Sequence, residues 1–477
     1  MKKLVQVSSI SGYLALVFFA IVIPPLIAFS SSTCQKPFEL CYKLFSFLAS
    51  LIIVGIALVK FKKINQRSLE EIVSILLPCL VSIYFIYPIA ITPFIHKFWD
   101  YICLETSARI IVQGGNPYVG GCWVYPPLLA QMLGWCYKII YATRLKHQNI
   151  DLWELVFYFY QCGQFIQVVL AYFLSYFFAK SLGIKKLSAL IICSVLFVLN
   201  YPLFTNLFAN QHNLWILNSI LLALFFISLS PELTGLAIAF GAHIKLYPII
   251  LLAPLTLIKK WRVIISTILA LVLILLIQTK AGKDWELWKN FLISFLSFPK
   301  CTNFTCDSLF GIIHGFFLFF ASIFRKDIAF LNPLLNGLEK LAILAVLAWI
   351  GFRFSLREKT YRKLRQQNQD TNPELEKARI YAHLIDSIGF ALLVSPLVLV
   401  HQYILAIPIL IFASANLGLR DLWKILLCFF LIFPLPTYEL FPFSYHRFFG
   451  IILLIFFLPP ENLKNQSQNH QSHSSLK

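Results

Sequence analysis

Twenty residues from Ile72 to Ile91 pass without one charged side chain, and similar runs recur at Gly12 to Ala28, Leu44 to Val59, Val263 to Ile277 and Leu341 to Phe352. A helix needs about 20 apolar residues to cross a ~30 Å hydrocarbon layer, and these runs approach or reach that length. One soluble core cannot hide so much apolar surface in a chain that is 59% hydrophobic and 13% charged, with a mean hydropathy of +0.77. A membrane barrel would instead show alternating segments of about 10 residues, and none is visible. The sequence therefore predicts an all-α, polytopic helical membrane protein, a single multi-pass domain over 1–477 with about 12 to 14 spans. The first run lacks a small-residue cleavage pattern and is read as a retained span rather than a removed signal peptide.

The net charge of +19 would suggest nucleic acid in a soluble protein. Here it sits in short connections between apolar runs: Lys2-Lys3, Lys60 to Arg67, Arg144 to Lys146, Lys259 to Arg262, and the block from Arg353 to Arg379. That is the positive-inside pattern, so these segments are expected on the cytoplasmic side and nucleic acid is not an expected partner. The longest, 353–379, reads as a solvated basic loop resting on anionic lipid. The polar tail 461–477 reads as disordered.

These anchors orient the chain. Spans near 12–30, 43–61 and 72–95 deliver His96 to Val124 to the outer face, and further spans are expected near 125–142, 154–180, 187–208, 213–230, 234–257 and 263–280. Strict alternation then leaves Lys180, Lys185 and Lys186 outside, so one element between 154 and 233 is expected to be re-entrant or half-spanning. Leu309 to Phe324 is short and carries His314, which favours an interfacial or buried helix. Later spans are expected near 334–354, 380–400, 404–418, 421–436 and 445–459.

Cys34, Cys41, Cys103, Cys122, Cys301 and Cys306 fall on outer segments, where they are either disulfide-bonded or small apolar fillers. No Cys/His spacing suggests structural zinc, and Asp100 with Asp307 would make a thin divalent site, so no metal is expected.

Chemistry gathers where the chain leaves lipid, from Trp99-Asp100-Tyr101 through Gly114-Gly115-Asn116-Pro117-Tyr118 to Tyr125-Pro126-Pro127-Leu128. Asp100, just past the end of a span, is placed to act as a half-shielded general base; its alternative is a helix-end anchor beside two aromatic residues. Glu105 and Arg109 form an i, i+4 pair read as structural. The Gly-Gly-Asn-Pro stretch is a turn, and Pro126-Pro127 opens the next helix. Lys245 interrupts an apolar run, where an ionised side chain costs at least ~2.5 to 3.5 kcal/mol unless a partner or an aqueous cavity receives it.

The order of these motifs resembles glycosyltransferase family 87 (GT87), polyprenyl-phosphate-dependent enzymes of the GT-C architecture. The residues that carry the likeness are Asp100 after an early span, Gly115-Asn116-Pro117-Tyr118 in the turn, and Tyr125-Pro126-Pro127-Leu128 opening the next span. Asn210-Gln211-His212-Asn213 follows, with Asn210 where the family motif has glycine, then Gly241 to Pro248 around Lys245, Asn303 to Ser308, and Ser395-Pro396 to His401-Gln402-Tyr403. The likeness spans roughly residues 90–415.

The resemblance implies an active-site loop on the outer face and an inverting transfer of a hexose, mannose foremost, from a polyprenyl-phosphate sugar to a glycolipid or glycan hydroxyl. It implies Asp100 as base, with Lys245, His401, Gln211 and Asn213 at the donor phosphate and sugar. Tyr118, Tyr125, Tyr403 and, in second rank, His243 would line the acceptor side. The lipid-linked sugar is a co-substrate, membrane lipids are partners, no cofactor is implied, and a bacterial inner membrane is the expected location. A lipid-linked saccharide flippase or transporter is the alternative, but the internal repeats such proteins usually carry are not visible.

Overall fold

The computed structural model describes Leu77, Val81 and residues 97–119, 122–143, 151–297, 306–324, 332–367, 373–418, 421–437 and 441–460. The expected spans at 12–30, 43–61 and 72–95 lie outside these residues apart from Leu77 and Val81, as does the tail 461–477. The described chain is built of helices: α1 Trp99–Val112, α2 Leu128–Ala142, α3 Leu152–Ser181, α4 Lys186–Val198, α5 Tyr201–Phe208, α6 Asn213–Phe226, α7 Pro231–Ile244 and α8 Leu252–Leu257. There follow α9 Trp261–Gln278, α10 Trp285–Ser297, α11 Leu309–Phe324, α12 Asn332–Gln367, α13 Pro373–Val394, α14 Ile407–Asn416, α15 Leu422–Ile432 and α16 His446–Phe457. Among the described residues α3, α9 and α12 are long and apolar enough to cross a membrane, and α4 and α5 pass that test only together, bent by 51° at their break. The break falls inside 154–233, the stretch where charge and strict alternation disagree.

The chain divides into two compact units, one within 92–174 and 204–300, the other within 175–203 and 301–477. In the first, α7 packs against both α6 and α9. Its start is set by Ser230, whose hydroxyl accepts from Leu233 N at 3.2 Å, followed by Pro231 in the first turn. Gly235 and Gly241 let α7 approach so closely that a Cβ would collide with Ser266 on α9 and Ser219 on α6. Gln131 on α2 and Gln278 on α9 satisfy each other: one amide donates to the Gln278 carbonyl at 3.0 Å, the other to the Gln131 side chain at 3.1 Å. Each buried NH2 group thereby gains an acceptor, which offsets the cost of taking it out of water.

The expected continuous span over 234–257 is instead broken. Helix α7 ends at Ile244, Lys245 is extended at φ −159° and ψ 135°, and a 3-10 turn over Tyr247–Leu251 leads into α8. Pro248 supplies a cause: were α7 to continue, its ring would crowd the Ile244 carbonyl four residues back, and it has no N–H to donate there. Irregular backbone at such a depth is tolerated where it lines a polar cavity.

In the second unit the basic segment 353–379 is not the loop expected. Helix α12 runs on to Gln367 and α13 begins at Pro373. Arg353 and Arg357, one turn apart, are buried against Asp386 of α13. Arg353 donates to both carboxylate oxygens at 3.0 Å, and Arg357 donates to one at 2.9 Å. Arg379 grips Glu358 with two bonds of 2.6 Å. Three of the basic residues read as solvated, Arg353, Arg357 and Arg379, have acidic partners on the neighbouring helix, and these pairs staple α12 to α13.

Candidate active site

Helix α1 carries Asp100 in its first turn and Arg109 in its last, a charge order that suits the helix dipole. A disulfide joins Cys103 on α1 to Cys122, just ahead of α2. Cys306 is also disulfide-bonded, while its expected neighbour Cys301 lies outside the described residues. The Glu105 and Arg109 pair is structural as expected, at 2.6 Å, and it belongs to a wider network. Lys97 bridges Glu105 at 2.9 Å and Glu154 of α3 at 2.7 Å, and the Arg109 guanidinium lies over the Trp153 ring at 4.7 Å. These contacts hold α1 against the start of α3 and fix which face it presents.

Asp100 is half-buried, and its carboxylate accepts a hydrogen bond from the Gln211 side chain. Burial pushes the carboxyl up from its ordinary value, against the Gln211 bond and the nearby Lys245 charge, which both pull it down. Gln211 is held by its own backbone: its N–H donates to Asn206 O at 2.8 Å and its carbonyl accepts from the Gln164 amide at 2.6 Å. Lys245 is buried, donates to Asn213 Oδ1 at 3.0 Å and lies 4.8 Å from the centre of the Tyr125 ring and 5.5 Å from that of Tyr247. Asn213 in turn donates to Asn206 Oδ1 at 3.1 Å.

Thus Asp100, Gln211, Asn213, Lys245 and Tyr125 come together in the first unit. The extended backbone at Lys245, not a helical face, sends its side chain there. Residues 153–367 match the model of glycosyltransferase family 87. No curated protein matches the chain. The match covers Gln211, Asn213 and Lys245 but not Asp100, Tyr118, Tyr125, His401 or Tyr403, a narrower stretch than the motif likeness. Over that stretch the chain is similar to glycosyltransferases, enzymes that take a glycosyl donor and an acceptor, and its long apolar helices suit a multi-pass membrane protein.

The remaining candidate residues have other surroundings. Tyr118 closes the turn before α2: its hydroxyl donates to Tyr125 O at 2.8 Å and its N–H to Asn116 Oδ1 at 3.0 Å, an Asx turn. Its ring lies 5.9 Å from Phe291, so it shapes the loop through its backbone and hydroxyl. His243 is a packed core residue; its ring nitrogen meets Leu271 O at 3.0 Å and its ring meets the Trp288 edge-on at 5.2 Å.

His401 and Tyr403 belong to the second unit, buried in a 3-10 turn over Val400–Ala406. There the Tyr403 hydroxyl donates to Asp307 O at 2.5 Å and Asp307 N–H donates to Val398 O at 2.9 Å. The two late motifs, around Ser308 and around His401, therefore meet. Asp307 also pairs with Arg447 at 3.1 Å, both fully buried. Burial pushes the Asp307 carboxyl up to about 6, although Arg447 pulls the other way.

Three residues were given no role by sequence reasoning. Arg447 lay in an expected span, where a lone charge was itself the available signal. His212 stands edge-on to Tyr125 at 4.5 Å, with Trp123 5.1 Å from the same tyrosine, so the three rings form one wall. Asn210 holds a positive φ of 55°, the conformation that glycine at this motif position would take freely.

Proposed function

We propose that this protein is a membrane glycosyltransferase that moves a hexose, mannose foremost, from a β-linked polyprenyl-phosphate sugar to a hydroxyl of an extracytoplasmic glycolipid or glycan. The observation that carries the reading is the Asp100 carboxylate, half-buried, hydrogen-bonded by Gln211 and within the field of Lys245. A carboxylate held partly out of water is the group able to take a proton from an incoming alcohol.

In the proposed step Asp100 removes the acceptor's hydroxyl proton while that oxygen's electron pair forms a bond to the anomeric carbon. The bond from that carbon to the phosphate oxygen breaks, and its electron pair leaves with the polyprenyl phosphate. Attack from the opposite face inverts the centre, so a β-linked donor gives an α-glycoside. Negative charge accumulates on the departing phosphate, and Lys245, oriented by its bond to Asn213 Oδ1, supplies the cation for it. The part-exposed Tyr125 ring offers a flat face to a sugar, backed by the buried Trp123 and His212 rings.

The test is the purified protein in lipid nanodiscs with radiolabelled β-polyprenyl-phosphate hexoses and a panel of glycolipid acceptors. An α-linked product supports the proposal. A β-linked product refutes inversion, and protein-dependent movement of intact lipid-linked sugar across vesicle bilayers without transfer favours a flippase.

A further inference from the structure

Helix α1 carries the proposed base, yet no side chain within it caps its start. Phe98 is the N-cap residue, extended at φ −79° and ψ 164°, and its side chain cannot accept a hydrogen bond from the first turn. The helix ladder begins with Ile102 N donating to Phe98 O at 2.9 Å. The N–H of Phe98 points out of the helix and donates to Asn210 Oδ1 at 3.0 Å. The Phe98 ring also sits 5.0 Å from that of Phe208, two residues before Asn210, so backbone and side chain dock on one turn.

That turn is itself braced. Asn210 is 4% exposed, its N–H donates to Leu207 O at 3.1 Å, and its carbonyl accepts the Tyr160 hydroxyl at 2.7 Å. Its φ of 55° lies in the left-handed region, open to glycine and tolerated by asparagine and aspartate. Glycine would take the backbone without offering an acceptor. Aspartate would offer one, together with a second negative charge next to Gln211, whose side chain bonds the Asp100 carboxylate. Asparagine meets both demands, and its neighbour Gln211 bonds the Asp100 carboxylate directly. Adjacent residues of one turn thus hold the backbone that precedes the base and the side chain of the base.

We infer that Asn210 is a positioning residue, which fixes Asp100 for proton abstraction by anchoring the Phe98 N–H through its own side-chain oxygen. The inference rests on the reading of Asp100 as general base. A misplacement of about 1 Å at a reacting group lowers rates by about 100-fold, so a lost anchor should be visible in turnover.

The experiment compares the wild type with Asn210→Gly, Asn210→Asp and Asp100→Asn in nanodiscs. Steady-state transfer is measured across pH, and amide hydrogen exchange is followed at the 97–102 segment. Asn210→Gly should lower kcat by about 10- to 100-fold with little change in donor KM, and should speed Phe98 amide exchange by about 10-fold. Asn210→Asp keeps the acceptor, so exchange should stay slow and much of kcat should return at alkaline pH. Wild-type kcat in Asn210→Gly overturns the inference, as does equal loss in both Asn210 variants at every pH, which would mark a merely structural role. Unchanged Phe98 exchange in Asn210→Gly overturns it independently of any chemistry. Turnover by Asp100→Asn overturns instead the reading on which the inference rests.

Discussion

Replacing Gln211 with methionine isolates the hydrogen bond that opposes the effect of burial on Asp100. Burial raises the affinity of this carboxyl for its proton, and the Gln211 hydrogen bond and the Lys245 charge oppose it. Methionine keeps the length and volume of glutamine but cannot donate. The turn should survive, because Gln211 is held through its backbone, at 2.8 Å to Asn206 O and 2.6 Å from the Gln164 amide. A hydrogen bond to a charged group contributes about 1.5 to 3 kcal/mol, and each 1.4 kcal/mol changes an equilibrium about tenfold. On the acid limb of the rate profile, where only the ionised base works, Gln211→Met should therefore turn over about 10- to 100-fold more slowly than wild type. The sign follows directly: the variant's carboxyl binds its proton more tightly, so its acid limb moves to higher pH and its alkaline plateau approaches that of the wild type. Single-turnover transfer from a radiolabelled polyprenyl-phosphate sugar at a series of pH values measures this. An acid limb that stays in place or moves to lower pH refutes the argument, as does an equal loss at all pH.

Three further outcomes concern stability. Cys103→Ser with Cys122→Ser opens a loop of 19 residues and should lower unfolding stability by about 3 kcal/mol, seen as a reduced thermal midpoint in detergent. Asp386→Ala leaves Arg353 and Arg357 buried without their carboxylate and should lose about 3 to 5 kcal/mol, whereas replacing all three with apolar residues of similar volume should be far milder. Asp307, pushed up to about 6 from an ordinary 3.8, binds more protons folded than unfolded between those values. Its contribution is therefore full below pH 4 and declines as pH rises to about 6. The difference in midpoint between wild type and Asp307→Asn should shift against the wild type over that window.

Much of this was legible because hydropathy and charge act over long stretches. Runs such as Val263 to Ile277 announced helices, Asp100 stood out beside Trp99 where the chain leaves an apolar run, and Lys245 stood out as a charge within one. The break at Lys245 was hidden because hydropathy is blind to backbone conformation, although Pro248, four residues past Ile244, carried the hint. The segment 353–379 misled for a related reason. A run of arginines and lysines looks solvated until Asp386 and Glu358 are seen to face it across two helices. Pairings such as Asp307 with Arg447 join residues far apart in sequence, and nothing local encodes them. Asn210 was visible only as a departure from a motif. Its meaning required the backbone angle and the bond to Phe98.

The account stands on Asp100 as the group that takes the acceptor's proton. Asp100→Asn keeps the shape and the helix while removing the basic oxygen, and general-base catalysis contributes typically 100- to 10,000-fold. Transfer of radiolabelled hexose from polyprenyl phosphate by purified wild type and variant, at equal donor occupancy, is the decisive comparison. The account predicts donor binding within about twofold of wild type and turnover lower by at least about 100-fold. Turnover close to wild type in Asp100→Asn would contradict it.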